Sequence, residues 1–78
     1  MSEFTYSPWR HGGWYIDNVR YPSGAVGCVA WEYDPATQKR TGRYFIACDS
    51  RKGARVTYPT RDAAARAERD LIAAGVLA

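Results

Sequence analysis

The stretch PTRDAAARAERDLIAAG, residues 59–75, carries the clearest structural signal in the sequence. Thr60 is a preferred helix N-cap, and Asp62 lies in the first turn, where the helix dipole favours an acid. Gly75 is a typical residue to follow the last turn. The stretch therefore predicts one helix close to the end of the chain.

Small apolar residues recur along this stretch at helical spacing. They are Ala63, Ala64, Ala67, Leu71 and Ala74. On the other side, Arg66 stands four residues from both Asp62 and Asp70, which predicts two ion pairs along the helix. A stripe this shallow packs best against bulky side chains, so we expect Trp31 and Phe45 beneath the helix.

Three segments before the helix are rich in the β-branched and aromatic residues that strands prefer. They are WYIDNVRY (14–21), AVGCVAWEYD (25–34) and RYFIACD (43–49). Turn residues separate them, with Pro22, Ser23 and Gly24 in the first gap and Asp34 to Gly42 in the second. The predicted fold class is α+β, a three-stranded antiparallel sheet packed on one C-terminal helix in the order β-β-β-α.

The second and third strands are expected to pair as a hairpin about Gln38. One face then holds Cys28, Ala30 and Glu32 opposite Cys48, Ile46 and Tyr44, and the other holds Val29, Trp31 and Tyr33 opposite Ala47, Phe45 and Arg43. A slip of one residue would exchange these partners. With one helix, only one face is covered. The other needs the N-terminal segment, a second copy of the chain or a ligand.

Residues 1–13 are aromatic and are interrupted by Pro8 and by Gly12 and Gly13. We interpret them as a flexible aromatic arm, and residues 14–78 as a single domain. A chain of 78 residues is near the low end of what folds alone. It leaves little surplus stability for an open catalytic cleft.

No apolar run is long enough to span a bilayer, and no secretory leader follows Met1. These features predict a cytoplasmic location and no membrane partner. Since thiols stay reduced in the cytoplasm, Cys28 and Cys48 are expected to be free, buried thiols rather than a disulfide.

Two basic loops flank the third strand. Lys39, Arg40 and Arg43 lie at its start, and Arg51, Lys52 and Arg55 follow its end. A strand of this length spans roughly 20 Å, so the loops would bracket one sheet edge and could straddle the phosphates beside a nucleic-acid groove. The plain alternative is that these charges are solvated and serve solubility. The net charge of +3 adds a mild preference for anionic partners.

The order of three strands and a helix, ending in RVTYPTRDAAARAERDL (55–71), resembles the arm-type DNA-binding domains of phage integrases, which are similar to plant AP2 domains. The resemblance implies a sheet whose outer face enters the DNA major groove. By position, it implies contacts from Arg20, Lys39, Arg40, Arg43 and Tyr44. The first hairpin, WYIDNVRYPSGAVGCVAW (14–31), looks more like small standalone proteins of bacteria and their phages.

Signals of catalysis are weak. His11 is the single histidine and lies beside glycines, where nothing holds it as a general base. Cys28 and Cys48 lack the paired spacing of a zinc site, and no phosphate-binding glycine loop opens the helix. We therefore expect no enzyme activity, no metal and no cofactor.

The sequence leads to two functional hypotheses. The first is a nucleic-acid-binding module that contacts DNA or RNA phosphates through its basic loops, with Tyr44 and Arg20 adding contacts from the uncovered sheet face. Its predicted contact residues are Arg20, Lys39, Arg40, Arg43, Tyr44, Arg51, Lys52 and Arg55. The second is a phage or mobile-element effector, anti-CRISPR-like, that docks on a host protein complex through Trp9, Trp14, Trp31 and Tyr33. A homodimer is compatible with either.

Overall fold

The structure, a computed structural model, describes residues 3–9, 12–49 and 56–77. It contains the strands β1 (Tyr6–Trp9), β2 (Gly13–Arg20), β3 (Val26–Tyr33) and β4 (Arg40–Ile46), followed by the helix α1 (Arg61–Ala73). The strands form one antiparallel sheet in the order β1-β2-β3-β4. The α+β class with an antiparallel sheet and a C-terminal helix is confirmed. The predicted number of three strands is wrong, since the sheet has four.

The additional strand, β1, lies in the segment that we interpreted as an arm. Its residues pair with β2 from Tyr6 opposite Ile16 to Trp9 opposite Gly13. Pro8 is tolerated because β1 is an edge strand, where a residue without an N–H costs no ladder hydrogen bond. Gly12, at φ 96°, makes the tight turn into β2. The residues that we interpreted as strand breakers instead build a hairpin.

The helix begins and ends where the sequence indicated. The Thr60 hydroxyl accepts a hydrogen bond of 3.0 Å from the Ala63 N–H, as expected of an N-cap. Gly75 follows the C-cap residue Ala74 at φ 75°. The ion pairs differ from the prediction, because Arg66 contacts Glu3 at 3.4 Å. Within the described ranges, no helix is long and apolar enough to cross a membrane.

The register between β3 and β4 is one residue away from the predicted one. Val29 lies opposite Ile46, Ala30 opposite Phe45 and Trp31 opposite Tyr44. A slip of one residue moves a whole strand to the other face. Tyr44 therefore lies on the helix side, and Phe45 lies on the reverse face, opposite to our expectation for both. The connecting turn contains Gln38 at φ 59°, and the pairing is irregular between Trp31 and Tyr33, so the hairpin is not symmetric.

The core lies between α1 and the sheet face that carries Ile16, Val29 and Ile46. From the helix, Ala64 and Ala65 are fully buried, with Ala67, Leu71 and Ile72 at the margins. The predicted stripe is thus correct for Ala64, Ala67 and Leu71 and wrong for Ala74, which is exposed. The helix covers β2, β3 and β4.

One acid lies in this core. Glu68 on α1 is 0 % exposed, and its Oε2 accepts a hydrogen bond from the Tyr21 hydroxyl. Its Oε1 has no hydrogen-bond partner among the described residues and faces the backbone of Gly27. Burial raises the pKa of the Glu68 carboxyl above its ordinary value, and the charge of Asp49 adds to the rise. Burial thus favours the neutral form of this carboxyl.

The two cysteines form a disulfide, which corrects the prediction of free thiols. Cys28 on β3 is joined to Cys48, just after β4, with Cα atoms 6.0 Å apart. The Ala47 N–H donates to the Cys28 carbonyl at 3.0 Å, which keeps the chain after β4 beside β3 at this point. Disulfides persist mainly in oxidising compartments. The cytoplasmic location stays a prediction.

Candidate functional site

The helix leaves part of its own side of the sheet uncovered, near the helix start. Here the rings of Trp14, Trp31 and Tyr44 come together on three neighbouring strands. They do so because Trp14 lies opposite Val29 and Trp31 opposite Tyr44, which puts all three on the face that carries the core. Together with the side chains of Arg40 and Arg61, these rings are called the aromatic–arginine patch below.

The rings of the patch pack edge to face in one pair and tilted in the other, rather than flat. The Trp14 and Trp31 ring centroids are 4.6 Å apart at 67°, and those of Trp14 and Tyr44 are 6.0 Å apart at 43°. These arrangements are the preferred ones for aromatic pairs. All three side chains are half-buried, so each keeps part of its surface in solvent. The strands hold the rings in place, and a partner would not have to order them.

Two guanidinium groups lie on these rings. The Arg40 Cζ is 3.6 Å from the Trp31 ring centroid, and the Arg61 Cζ is 4.8 Å from that of Trp14 and 3.8 Å from that of Tyr6. These separations are within the range of cation–π attraction. Neither arginine forms an ion pair with a carboxylate of the described residues. Within the described part of the chain, their charges are thus held on the rings and are not paired in a salt bridge.

A shallow cleft opens between the patch and the first turn of α1. Its volume is about 380 Å³, and it is lined by Trp14, Tyr44, Thr60, Arg61 and Asp62. The Asp62 carboxylate accepts a hydrogen bond from the Tyr6 hydroxyl, and the Thr60 hydroxyl caps the helix. The helix start adds the positive end of its dipole. The cleft thus joins two ring surfaces to a rim that carries the Arg61 guanidinium and, beside it, the Asp62 carboxylate that the Tyr6 hydroxyl contacts.

The structure brings two of the predicted contact residues into the patch, Arg40 and Tyr44. Lys39 precedes Arg40 and is exposed. Arg43 forms its hydrogen bonds outside the patch. Its guanidinium donates to the Thr57 hydroxyl at 2.7 Å and to the Thr57 carbonyl at 3.0 Å. Those bonds hold the segment that pairs with β4 through Tyr44 and Tyr58. Arg43 thus supports the edge beside the patch.

The other predicted contact residues do not join the patch. Arg20 pairs with Val26 at the first residue of β3, whereas Arg40 pairs with Tyr33 at the last. The length of β3 puts roughly 20 Å between those positions. Three further predicted residues, Arg51, Lys52 and Arg55, lie outside the described residues, as does His11. The bracketing of β4 by two basic loops therefore stays a prediction.

The reverse face of the sheet has a different character. Tyr15 is 40 % exposed there, with its ring centroid 6.3 Å from that of Trp9. Two acids share this face, where the Ser7 hydroxyl donates to Asp17 at 2.7 Å and the Thr41 hydroxyl donates to Glu32 at 2.9 Å. The helix α1, which is the one helix among the described residues, does not pack on this reverse face. Its acids make this face less suited to a polyanion than the patch.

The sequence did not indicate that Arg61, Trp14 and Trp31 lie together in one patch. Arg61 directly follows the N-cap, and its position over two rings depends on how the helix crosses the sheet. No local pattern encodes that crossing. Trp14 and Trp31 were identified only as protein-docking or core residues. Among the described residues, no group of three His, Cys, Asp or Glu side chains is placed to hold a metal ion.

Comparison of the chain with protein-family models, with curated proteins and with solved structures found no match.

Proposed function

We propose that this chain is a small, non-catalytic nucleic-acid-binding module that contacts its ligand through the aromatic–arginine patch. One observation carries the proposal. Arg40 and Arg61 are stacked on rings of a single sheet face, and neither has a described carboxylate as an ion-pair partner. The combination of fixed cations and partly exposed rings suits phosphates and bases together.

The two arginines act on phosphate through their fork of N–H donors. A guanidinium stacked on a ring keeps its edge free for bidentate hydrogen bonds to a phosphate. Stacking also removes rotamer freedom before binding, so less entropy is lost in the complex. Lys39 adds a further charge beside Arg40, and the start of α1 favours an anion near Arg61. Binding by these groups depends strongly on salt.

The proposal keeps the class of function implied by the resemblance to arm-type integrase domains but moves the contact surface. In that family the outer sheet face enters the major groove. Here the outer face carries Asp17 and Glu32, and two cations, Arg40 and Arg61, accompany the rings on the helix side.

A second function is favoured by the reverse face. The neighbouring rings of Trp9 and Tyr15 give an aromatic surface with polar neighbours. Such a composition suits docking on a protein, as expected of the effector hypothesis. That function predicts binding with little salt dependence and loss of binding on changing Tyr15.

Replacing Arg40 or Arg61 with Gln should weaken nucleic-acid binding about tenfold, since each loses a charge-assisted contact with phosphate. Each variant should also lower the slope of log affinity against log salt by about 0.7 to 0.9. Fluorescence anisotropy with labelled random-sequence DNA and RNA, at about 50 and about 200 mM salt, measures both quantities.

The matched control is Arg66→Gln. It removes the same charge from α1, at a site where Arg66 contacts Glu3 rather than the patch. This control should bind nearly as tightly as the unchanged protein. Equal losses in all three variants would mean that only net charge matters, and the patch would no longer be the site. Absence of binding at the lower salt would remove the proposal and favour protein docking.

A further inference from the structure

The cleft beside α1 distinguishes between kinds of nucleic acid. Its walls are the rings of Trp14 and Tyr44, and Arg61 forms part of its rim. With about 380 Å³, it lies at the small end of the range for ligand sites. The two rings meet at 43° with their centroids 6.0 Å apart, so they offer no pair of parallel faces between which a flat group could insert. A planar group would instead rest on one ring face.

The depth of the rings decides which nucleic acid can reach them. Trp14 and Tyr44 are half-buried, and both pack against the core cluster. In a duplex the faces of the bases are stacked on one another, and only phosphates and base edges are presented outward. A duplex resting on Arg40 and Arg61 would leave the ring faces without a partner. An unpaired base turned out from its strand exposes the face that these rings can stack on.

The spacing of charge and rings agrees with a flexible strand. Arg61 lines the cleft and also lies over the ring of Tyr6 on β1. Arg40 lies over the ring of Trp31 on β3, the strand next to the one that carries Trp14. The two phosphates that flank one turned-out base would then each contact a different guanidinium, one that of Arg40 and the other that of Arg61. Guanidinium planes also serve as stacking surfaces for bases.

We infer that the cleft at the start of α1 binds an unpaired base of a single-stranded nucleic acid, so that the protein prefers single strands to duplexes. The inference rests on the proposed function, because it assigns a substrate class to the same patch. It requires recognition of the base face, which is common to DNA and RNA.

The test compares three labelled probes of equal length by anisotropy: a single strand, the matching duplex, and a strand of abasic units with the same phosphates. Single-stranded DNA or RNA should bind about tenfold more tightly than the duplex or the abasic strand. Tyr44→Leu should lower the affinity for the strand that carries bases and leave the affinity for the abasic strand unchanged. Arg61→Gln should weaken both, since it acts on phosphate.

The outcomes separate this inference from the proposed function. Equal binding of all three probes, or tighter binding of the duplex, overturns the base-stacking cleft and leaves phosphate binding by the patch in place. No binding to any probe at low salt overturns both. Thermal melts of Tyr44→Leu check its folding, and the abasic comparison with the unchanged protein does not depend on that variant.

Discussion

Gly13→Ala is expected to destabilise the fold by about 3 kcal/mol, which lowers the melting temperature by roughly 12–24 °C for a domain of this size. Gly13 begins β2 and lies opposite both Trp9 and Ala30. A Cβ at this position would be 2.3 Å from the Val29 carbonyl oxygen and 2.9 Å from the Ala30 Cα. Both are backbone-held, so β2 would have to move away from β3. Thermal melting by circular dichroism measures the effect.

Gly42→Ala is the matched control for this change. Gly42 has φ 85°, and a Cβ there meets no atom within 4 Å. Gly42→Ala is therefore destabilising only because alanine disfavours the left-handed backbone conformation, by about 1 kcal/mol. The control should therefore melt well above Gly13→Ala. If Gly13→Ala melted as high as Gly42→Ala, the close approach of β2 to β3 would be wrong.

The second large effect is a loss of stability as pH rises, caused by Glu68. The raised pKa means that the folded protein keeps a proton on Glu68 at pH values where the unfolded chain has released it. Unfolding then releases a proton. The contribution of Glu68 to the free energy of unfolding is therefore fully present below the ordinary pKa near 4.5, and it is lost as pH rises toward the raised pKa. The slope cannot exceed about 1.4 kcal/mol per pH unit for one group. Above the folded pKa the stability levels off.

Glu68→Gln should remove this dependence, because an amide does not titrate and has nearly the same size. Denaturant unfolding from pH 5 to pH 8 should give a falling free energy for the unchanged protein and a flat one for the variant. Glu32→Gln, on the reverse face beside Thr41, is the control and should keep the fall. His11 is the single histidine and is the same in all three proteins, so its contribution cancels in the comparison. Parallel curves for all three would contradict a raised pKa of the buried Glu68 carboxyl.

The helix was predictable because its signals are local. Thr60, Gly75 and the small residues between them act within one or two turns, and the structure confirms the N-cap and the residue after the C-cap. Burial of Glu68 was not predictable. Its partners, Tyr21 and the backbone of Gly27, are far away in sequence. A charged residue between apolar ones is ordinarily placed on the solvated side.

The sheet was predicted in kind but not in detail. Composition identified three strands, whereas Pro8 and the glycine pair concealed β1. The register depended on the turn before Arg40, where Gln38 has φ 59°. One residue of error there placed Tyr44 on the wrong face. The disulfide was missed for a different reason, because the predicted register already put Cys28 opposite Cys48 and only the expected cytoplasmic location argued against the bond.

The candidate site could be predicted only in part. Arg40 was named because a basic loop precedes a strand, which is a local feature. Tyr44 was named because it was expected on the uncovered face of the sheet, which the observed register does not support. Trp14 and Arg61 enter the patch through contacts between elements that are distant in sequence. The placement of charge on the helix side rather than on the outer face followed only from the register.

The most direct test uses the three tryptophans as reporters in one spectrum. Trp14 and Trp31 lie in the aromatic–arginine patch, and Trp9 lies with Tyr15 on the reverse face. Their indole N–H resonances should be followed by NMR while a single-stranded oligonucleotide is added. Binding at the patch predicts that the Trp14 and Trp31 signals shift and that the Trp9 signal stays in place. A shift confined to Trp9, with Trp14 and Trp31 unchanged, would contradict the account.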